Sequence, residues 1–158
     1  MKILLAIDDS ACSNAAADAV IRQFRPRETE VRVLHVDEWP KGLPTSMQFA
    51  GGVSAADALC SLHETLRRKN KSLVADVARQ LEDTGFSART ELRAGDASHE
   101  ILDAAAEWQP DVIVMGSHGR RGFNRLVLGS VSDHVVRHAD CSVEVIRTAV
   151  DASQQNTT

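Results

Sequence analysis

No C-x-x-C pair occurs in the 158 residues, and the three cysteines, Cys12, Cys60 and Cys141, are scattered and odd in number. That argues against both a structural zinc site and a disulfide framework, and the thiols read as reduced packing residues. A long apolar run is also missing. The opening stretch from Met1 to Ile7 is interrupted by Asp8 and Asp9, far short of the ~18 residues needed to cross a bilayer, and no small-residue cleavage site follows it. It reads as a first strand, which implies a cytoplasmic protein with no membrane partner. Positive charge is not in excess either: the net charge is −4. A duplex-binding face is therefore not expected, because neutralising a phosphate backbone requires a broad basic surface. Two familiar nucleotide signatures are absent as well. No Gly-Lys-Ser/Thr follows four spacers, and the turn Ile7-Asp8-Asp9-Ser10-Ala11 contains no glycine.

What is present is the pattern of an α/β domain. Its 43% hydrophobic and 25% charged residues are those of an ordinary globular chain, and the length suits one complete core. Lys2 to Asp8 reads as a buried strand, with Ser10 capping a helix that runs to about Phe24 on Ala16, Ala19 or Val20, and Phe24. Glu30 to Val36 supplies a valine-rich strand. Asp37 to Ser54 holds two prolines and three glycines without periodicity and reads as a long loop, at a length where loops are usually functional or mobile. A long amphipathic helix then carries Leu59, Leu62, Leu66, Leu73, Val77 and Leu81 on one face, expected to be core, with Gly85 at its C-terminal end. Phe86 to Arg93 is a weaker strand suited to an edge. Gly95-Asp96 turns into a helix carrying Ile101, Ala105 and Trp108 inward.

Val112 to Met115 form a continuous apolar run, as in a central strand covered on both faces. Ser130 to His138 forms a short helix and Ser142 to Arg147 a last strand. Residues 1–147 therefore read as one domain, and residues 148–158 as a polar, disordered tail. The alternation of strand and helix predicts a single doubly wound α/β domain with a parallel sheet and helices on both faces, because parallel neighbours need helical crossovers.

The chemistry concentrates after the fourth strand. From Met115 through Ser132 the chain carries His118, Arg120, Arg121 and Arg125 and no acid, against the overall negative charge. Gly116, Gly119 and Gly129 leave room for main-chain N–H groups to approach a phosphate. Gly129 and Ser130 stand where a helix begins, and the unpaired N–H groups of a first helical turn attract anions. Ser130 and Ser132 bring hydroxyls on the same turn. The run reads as a phosphate cradle, and its duller alternative is a flexible turn with solvated arginines. Asp8 could position a ribose or metal, Asp9 reads more readily as first-turn charge, and Ser10 as a cap. His118 is a candidate phosphate donor. His35 reads as a packed, hydrogen-bonded histidine. His134 and His138 share a helix face at metal-binding spacing but lack a third ligand.

Gly116-x-x-Gly119, nine residues from Arg120 to Leu128, then Gly129-Ser130, match a Gly-x-x-Gly, nine-residue, Gly-Ser/Thr signature. On these residues the chain resembles the nucleotide-binding branch of the universal stress protein family. Ile7 to Ser10, His35-Val36 and Gly95 to Ala97 extend the similarity over roughly Lys2 to Arg147. The resemblance implies a five-stranded sheet in the order 3-2-1-4-5 and a site for ATP, with Mg or Mn held mainly by the phosphates. It places Ala6, Ile7 and Asp8 beside adenine and ribose, and Val36 as a main-chain partner of the base. Met115 and Gly116 would lie under the ribose and α-phosphate; His118, Gly119, Gly129, Ser130, Val131 and Ser132 would surround the phosphates. Beside the resemblance, one of the three loop arginines, Arg120 foremost, is expected to reach phosphate, the alternative being solvated loop charge. The resemblance also implies a homodimer paired through the last strand, where Val143, Val145 and Ile146 lie. The function implied is a nucleotide-dependent regulatory module in stress response. The alternatives are a slow ATPase or phosphotransferase, and a structural interaction protein whose pocket stays empty.

Overall fold

β1, Lys2–Ala6, is covered on both faces because Ile3, Leu4 and Leu5 leave no polar side for solvent, and all three are fully buried. The computed structural model describes residues 1–38, 53–119 and 128–148, with residues 53–59 described by their backbone alone. Its elements continue with α1, Ala11–Gln23; β2, Glu30–Asp37; α2, Val53–Asp83; β3, Ser87–Ala94; α3, Ala97–Trp108; β4, Val112–Gly116; α4, Ser130–His138; and β5, Ser142–Ile146. The strands form one parallel sheet in the order β3-β2-β1-β4-β5, so the expected doubly wound topology is the one observed.

Alternation along the strands divides the core in two. Ile3, Leu5, Val31 and Val33 pack on one face against Ala16 and Val20 of α1 and Val77 and Leu81 of α2. On the other, Leu4, Leu34, Ile113 and Met115 meet Ile101 and Ala104 of α3 and Val135 of α4. Within β5, Val143 and Val145 join the second layer and Ile146 the first. The strand order reverses between β1 and β4, and the chain leaves both strands at their carboxyl ends. That crevice is where open α/β sheets bind ligands.

Two expectations are corrected. Helix α2 begins at Val53, and Asp37 still pairs in β2, so the irregular segment is shorter at both ends than Asp37 to Ser54; its residues 39–52 lie outside those described. Nor is the whole leucine stripe of α2 core. Leu73 packs against the core and Val77 and Leu81 are buried, but Leu62 is 56% and Leu66 43% exposed; the Leu59 side chain lies outside those described. Helix length explains the difference. Asn70 bonds Asp37, the last residue of β2, so the residues before it run past the sheet edge. A 31-residue helix extends ~46 Å, whereas an eight-residue strand such as β2 spans only ~26 Å. The helix ends as expected: Gly85 takes φ +93°, and Gly85 N and Phe86 N bond Glu82 O and Leu81 O, a Schellman cap.

Candidate functional site

The carboxyl ends of β1, β2 and β4 and the starts of α3 and α4 enclose a cleft of about 360 Å³. Its floor comes from the three strands: Ala6, Ile7 and Asp8 from β1 and its turn, Val36 from β2, and Met115 and Gly116 from β4. His118, Gly119, Gly129, Ser130, Val131 and Ser132 form its wall on the glycine-loop side. All the expected site residues are thus brought together except Arg120, which, with Arg121 and Arg125, lies outside the described residues.

The wall is held by one carbonyl. Ser117 O accepts Gly129 N and the hydroxyl of Ser132, each at 2.9 Å, which ties the start of α4 to the end of β4. Ser132 is buried and its hydroxyl proton is directed inward, toward Ser117 O and Gly129 O. The hydroxyl of Ser130, an exposed residue, is in a different position at the same turn. Ser117 is itself fully buried, with Oγ 3.1 Å from His118 Nδ1.

The start of α4 differs from those of α1 and α3. Ser10 accepts Ser13 N at the start of α1, and Asp96 accepts Ser98 N and His99 N at the start of α3. At α4 the capping position is Gly129, which offers no side-chain acceptor, and the first intrahelical bond from Asp133 N reaches Gly129 O. The N–H groups of Ser130, Val131 and Ser132 therefore keep no side-chain cap, and all three residues face the cleft. The positive end of the helix dipole is directed there with them.

Where the floor meets this wall, Asp8 is held by the start of α1. Its Oδ1 accepts from the Ser13 hydroxyl at 2.7 Å and from Ser10 N at 3.1 Å. Its Oδ2 comes within 2.7 Å of where a Cβ on Gly119 would stand, so a larger residue there would displace the carboxylate. Asp9 pairs outside with Lys69 at 2.8 Å. Ser10 is the helix cap that its position suggested.

Sequence reasoning missed several lining residues. Ser13 sits three residues beyond Ser10 and reads as ordinary helix, while Ala97 and Ile101 enter from α3, remote in the chain. Only the topology that places α3 beside α4 could have found them. His35 is buried and hydrogen-bonded as expected, and it also lines the cleft. His134 and His138 stack with ring centroids 4.2 Å apart. Among the described residues, no three histidine, cysteine or acidic side chains are grouped to hold a metal ion. No helix among them is long and apolar enough to cross a membrane.

Comparison with known proteins bears on the family and the fold. A family model described as "Universal stress protein family" matches residues 1–147. Universal stress protein YxiE of Bacillus subtilis is 29% identical over 147 residues, covering 92% of this chain and 98% of that protein. The solved structure of MJ0577, a universal stress protein of Methanocaldococcus jannaschii, superposes with a TM-score of 0.73 at 26% identity, covering 93% and 95% of the two chains. A universal stress protein family member from Arabidopsis thaliana, solved with AMP bound, shares the fold at 18% identity and a TM-score of 0.66, covering 99% and 97%.

Proposed function

Because the chain belongs to the universal stress protein family, we propose that its cleft binds an adenine nucleotide, ATP foremost, and that occupancy rather than turnover is the regulatory signal. The observation that carries this reading is the uncapped start of α4: Ser130, Val131 and Ser132 line the cleft in the first turn of the helix, and Gly129 offers their N–H groups no side-chain acceptor. Such a terminus is a ready anion site. His118 and the Ser130 hydroxyl add donors, and Arg120 adds charge from the same loop. Asp8 would accept from the ribose hydroxyls, Ala6, Ile7, Met115 and Gly116 would contact the sugar and base, and Val36 would offer its main chain to the base. The AMP held by the Arabidopsis neighbour of the same fold supports the ligand class.

Catalysis has less support. Asp8 Oδ1 is engaged by Ser13 and Ser10, and no lysine occurs in the loop. A Mg or Mn ion would take its ligands chiefly from the phosphates, since the described residues offer no group of their own. For association, β5 is an edge strand, and a second copy pairing there would bury Val143, Val145 and Ile146 in a cytoplasmic homodimer.

The test is Gly129→Asp. Gly129 already has extended dihedrals, φ −62° and ψ 155°, that suit a capping aspartate, and an added Cβ would stand 3.2 Å from Ser117 O, needing only a small adjustment. The new carboxylate should cap the helix and repel phosphate. Titration calorimetry with ATP should show affinity reduced at least ~30-fold in a folded variant. Unchanged affinity would refute the cradle.

A further inference from the structure

Parallel pairing turns the main chain of alternate residues toward one neighbouring strand. The 2.9 Å bond from Ile7 N to Leu34 O shows that Leu34 faces β1, so Val36, two residues on, faces the same way. One more rung of the ladder would set Val36 N–H on Ile7 O. That rung is not made among the described residues. Ile7 O instead accepts from Nδ1 of His35 at 2.8 Å. A carbonyl only accepts, so Nδ1 carries the proton.

The ring is clamped from its other side. Nε2 of His35 lies 3.5 Å from Asp37 Oδ1, and the same oxygen accepts from the side-chain amide of Asn70 on α2. His35 is only 4% exposed and lines the cleft beside Val36. It is therefore held between the end of β1 and the middle of α2.

We propose that His35 is a positioning residue for the nucleotide site: its imidazole takes the Ile7 carbonyl that would otherwise close the ladder, and so keeps the Val36 peptide turned into the cleft. One main-chain donor and one main-chain acceptor then face the edge of a base. The same bond fixes the carbonyl immediately before Asp8, so base and ribose partners are set by one ring. This rests on the nucleotide reading above.

Two neutral amides separate the roles of the two ring nitrogens. The side-chain nitrogen of His35→Asn falls near Nδ1 and can still donate to Ile7 O. That of His35→Gln falls near Nε2, reaching Asp37 and leaving Ile7 O unoccupied. Calorimetry with ATP and with AMP should find His35→Asn within about threefold of wild type and His35→Gln weakened at least about tenfold. Amide hydrogen exchange without nucleotide should find Val36 at least about tenfold more protected in His35→Gln, where the ladder is free to close, and unchanged in His35→Asn.

A purely structural role would lower the melting temperature of both variants without sorting them by which nitrogen is kept. Equal affinities and equal Val36 exchange in the two variants would overturn the inference. If the wild type binds neither ATP nor AMP, the nucleotide reading fails. The Val36 exchange rates then still decide whether His35 sets that peptide.

Discussion

The hydroxyl of Ser13 stands 2.7 Å from the Asp8 carboxylate and 2.8 Å from the Asp8 main-chain nitrogen, so one side chain of α1 holds both ends of the acid at the tip of β1. Ser13 is buried, and its hydroxyl proton has a partner in Asp8 Oδ1. Removing that hydroxyl takes away the acceptor of Asp8 N and the shorter of the two bonds to Asp8 Oδ1, leaving the one from Ser10 N, and so loosens the carboxylate. Ser13→Ala should therefore cost about 1–2 kcal/mol in urea denaturation. It should also weaken ATP binding several-fold through loss of Asp8 orientation. A variant with full affinity would show that Asp8 needs no help from α1.

Gly116 closes β4 directly over α1. A Cβ there would stand 2.7 Å from Cys12 Cβ and 3.0 Å from the Cys12 main-chain carbon, distances that require something to shift. Gly116→Ala should lower stability by about 1–3 kcal/mol, as overpacking of a close-packed interior does. Cys12→Ala should not rescue it, because the Cβ and main-chain atoms in conflict remain. Rescue in the double variant, read from urea midpoints, would mean that the crowding comes from the sulfur instead.

Most of the fold was legible because buried parallel strands announce themselves as apolar runs such as Val112 to Met115, and the Gly116-x-x-Gly119 spacing marked the turn that follows. Three features were not. Periodicity reports which face of α2 is apolar but not how far the helix overhangs the sheet, so Leu62 and Leu66 read as core although both are exposed. Ser132 reads as a hydroxyl beside a phosphate, yet its proton is turned toward the carbonyl of Ser117, 15 residues earlier. His35 reads as a packed residue because its link to Ile7 O depends on pairing between strands that are distant in the chain. In each case the deciding contact is non-local, and spacing along the chain does not contain it.

The three thiols should separate by reactivity. Cys60 is exposed on the overhanging part of α2, Cys12 is buried beneath Gly116, and Cys141 is half-buried. Burial raises the pKa of Cys141 above the ordinary thiol value, so its thiolate fraction at pH 8 is below that of an unperturbed cysteine. Maleimide labelling followed by mass spectrometry should modify Cys60 first, Cys141 more slowly, and Cys12 only on unfolding. Labelling of Cys12 in the native protein at the Cys60 rate would require the α1–β4 contact to open freely.

Arg93 on β3 gathers three acids: Nη2 lies 2.5 Å from Glu107 Oε2, Nε 2.5 Å from Glu91 Oε1, and Nη1 3.8 Å from Glu100 Oε2. The hydrogen bond to Glu107 is the largest influence raising the guanidinium pKa, and the same bond lowers that of Glu107. A carboxylate whose folded pKa is depressed stabilises above its unfolded pKa and loses that contribution as pH falls through the folded value. Glu107 is exposed, so solvent and salt screen the pair. Glu107→Gln should therefore lower the melting temperature by only roughly 1–3 °C at pH 7, and less at high salt. Its difference from wild type should begin to shrink as pH falls below the ordinary glutamate value of about 4.3 and vanish only below the depressed folded value. Arg93→Met should cost more at pH 7, because it leaves Glu91, Glu100 and Glu107 clustered without their shared cation. In acid that excess should shrink as the three carboxylates become neutral. A Glu107→Gln penalty that grew on acidification would show that Glu107 acts through packing rather than through charge.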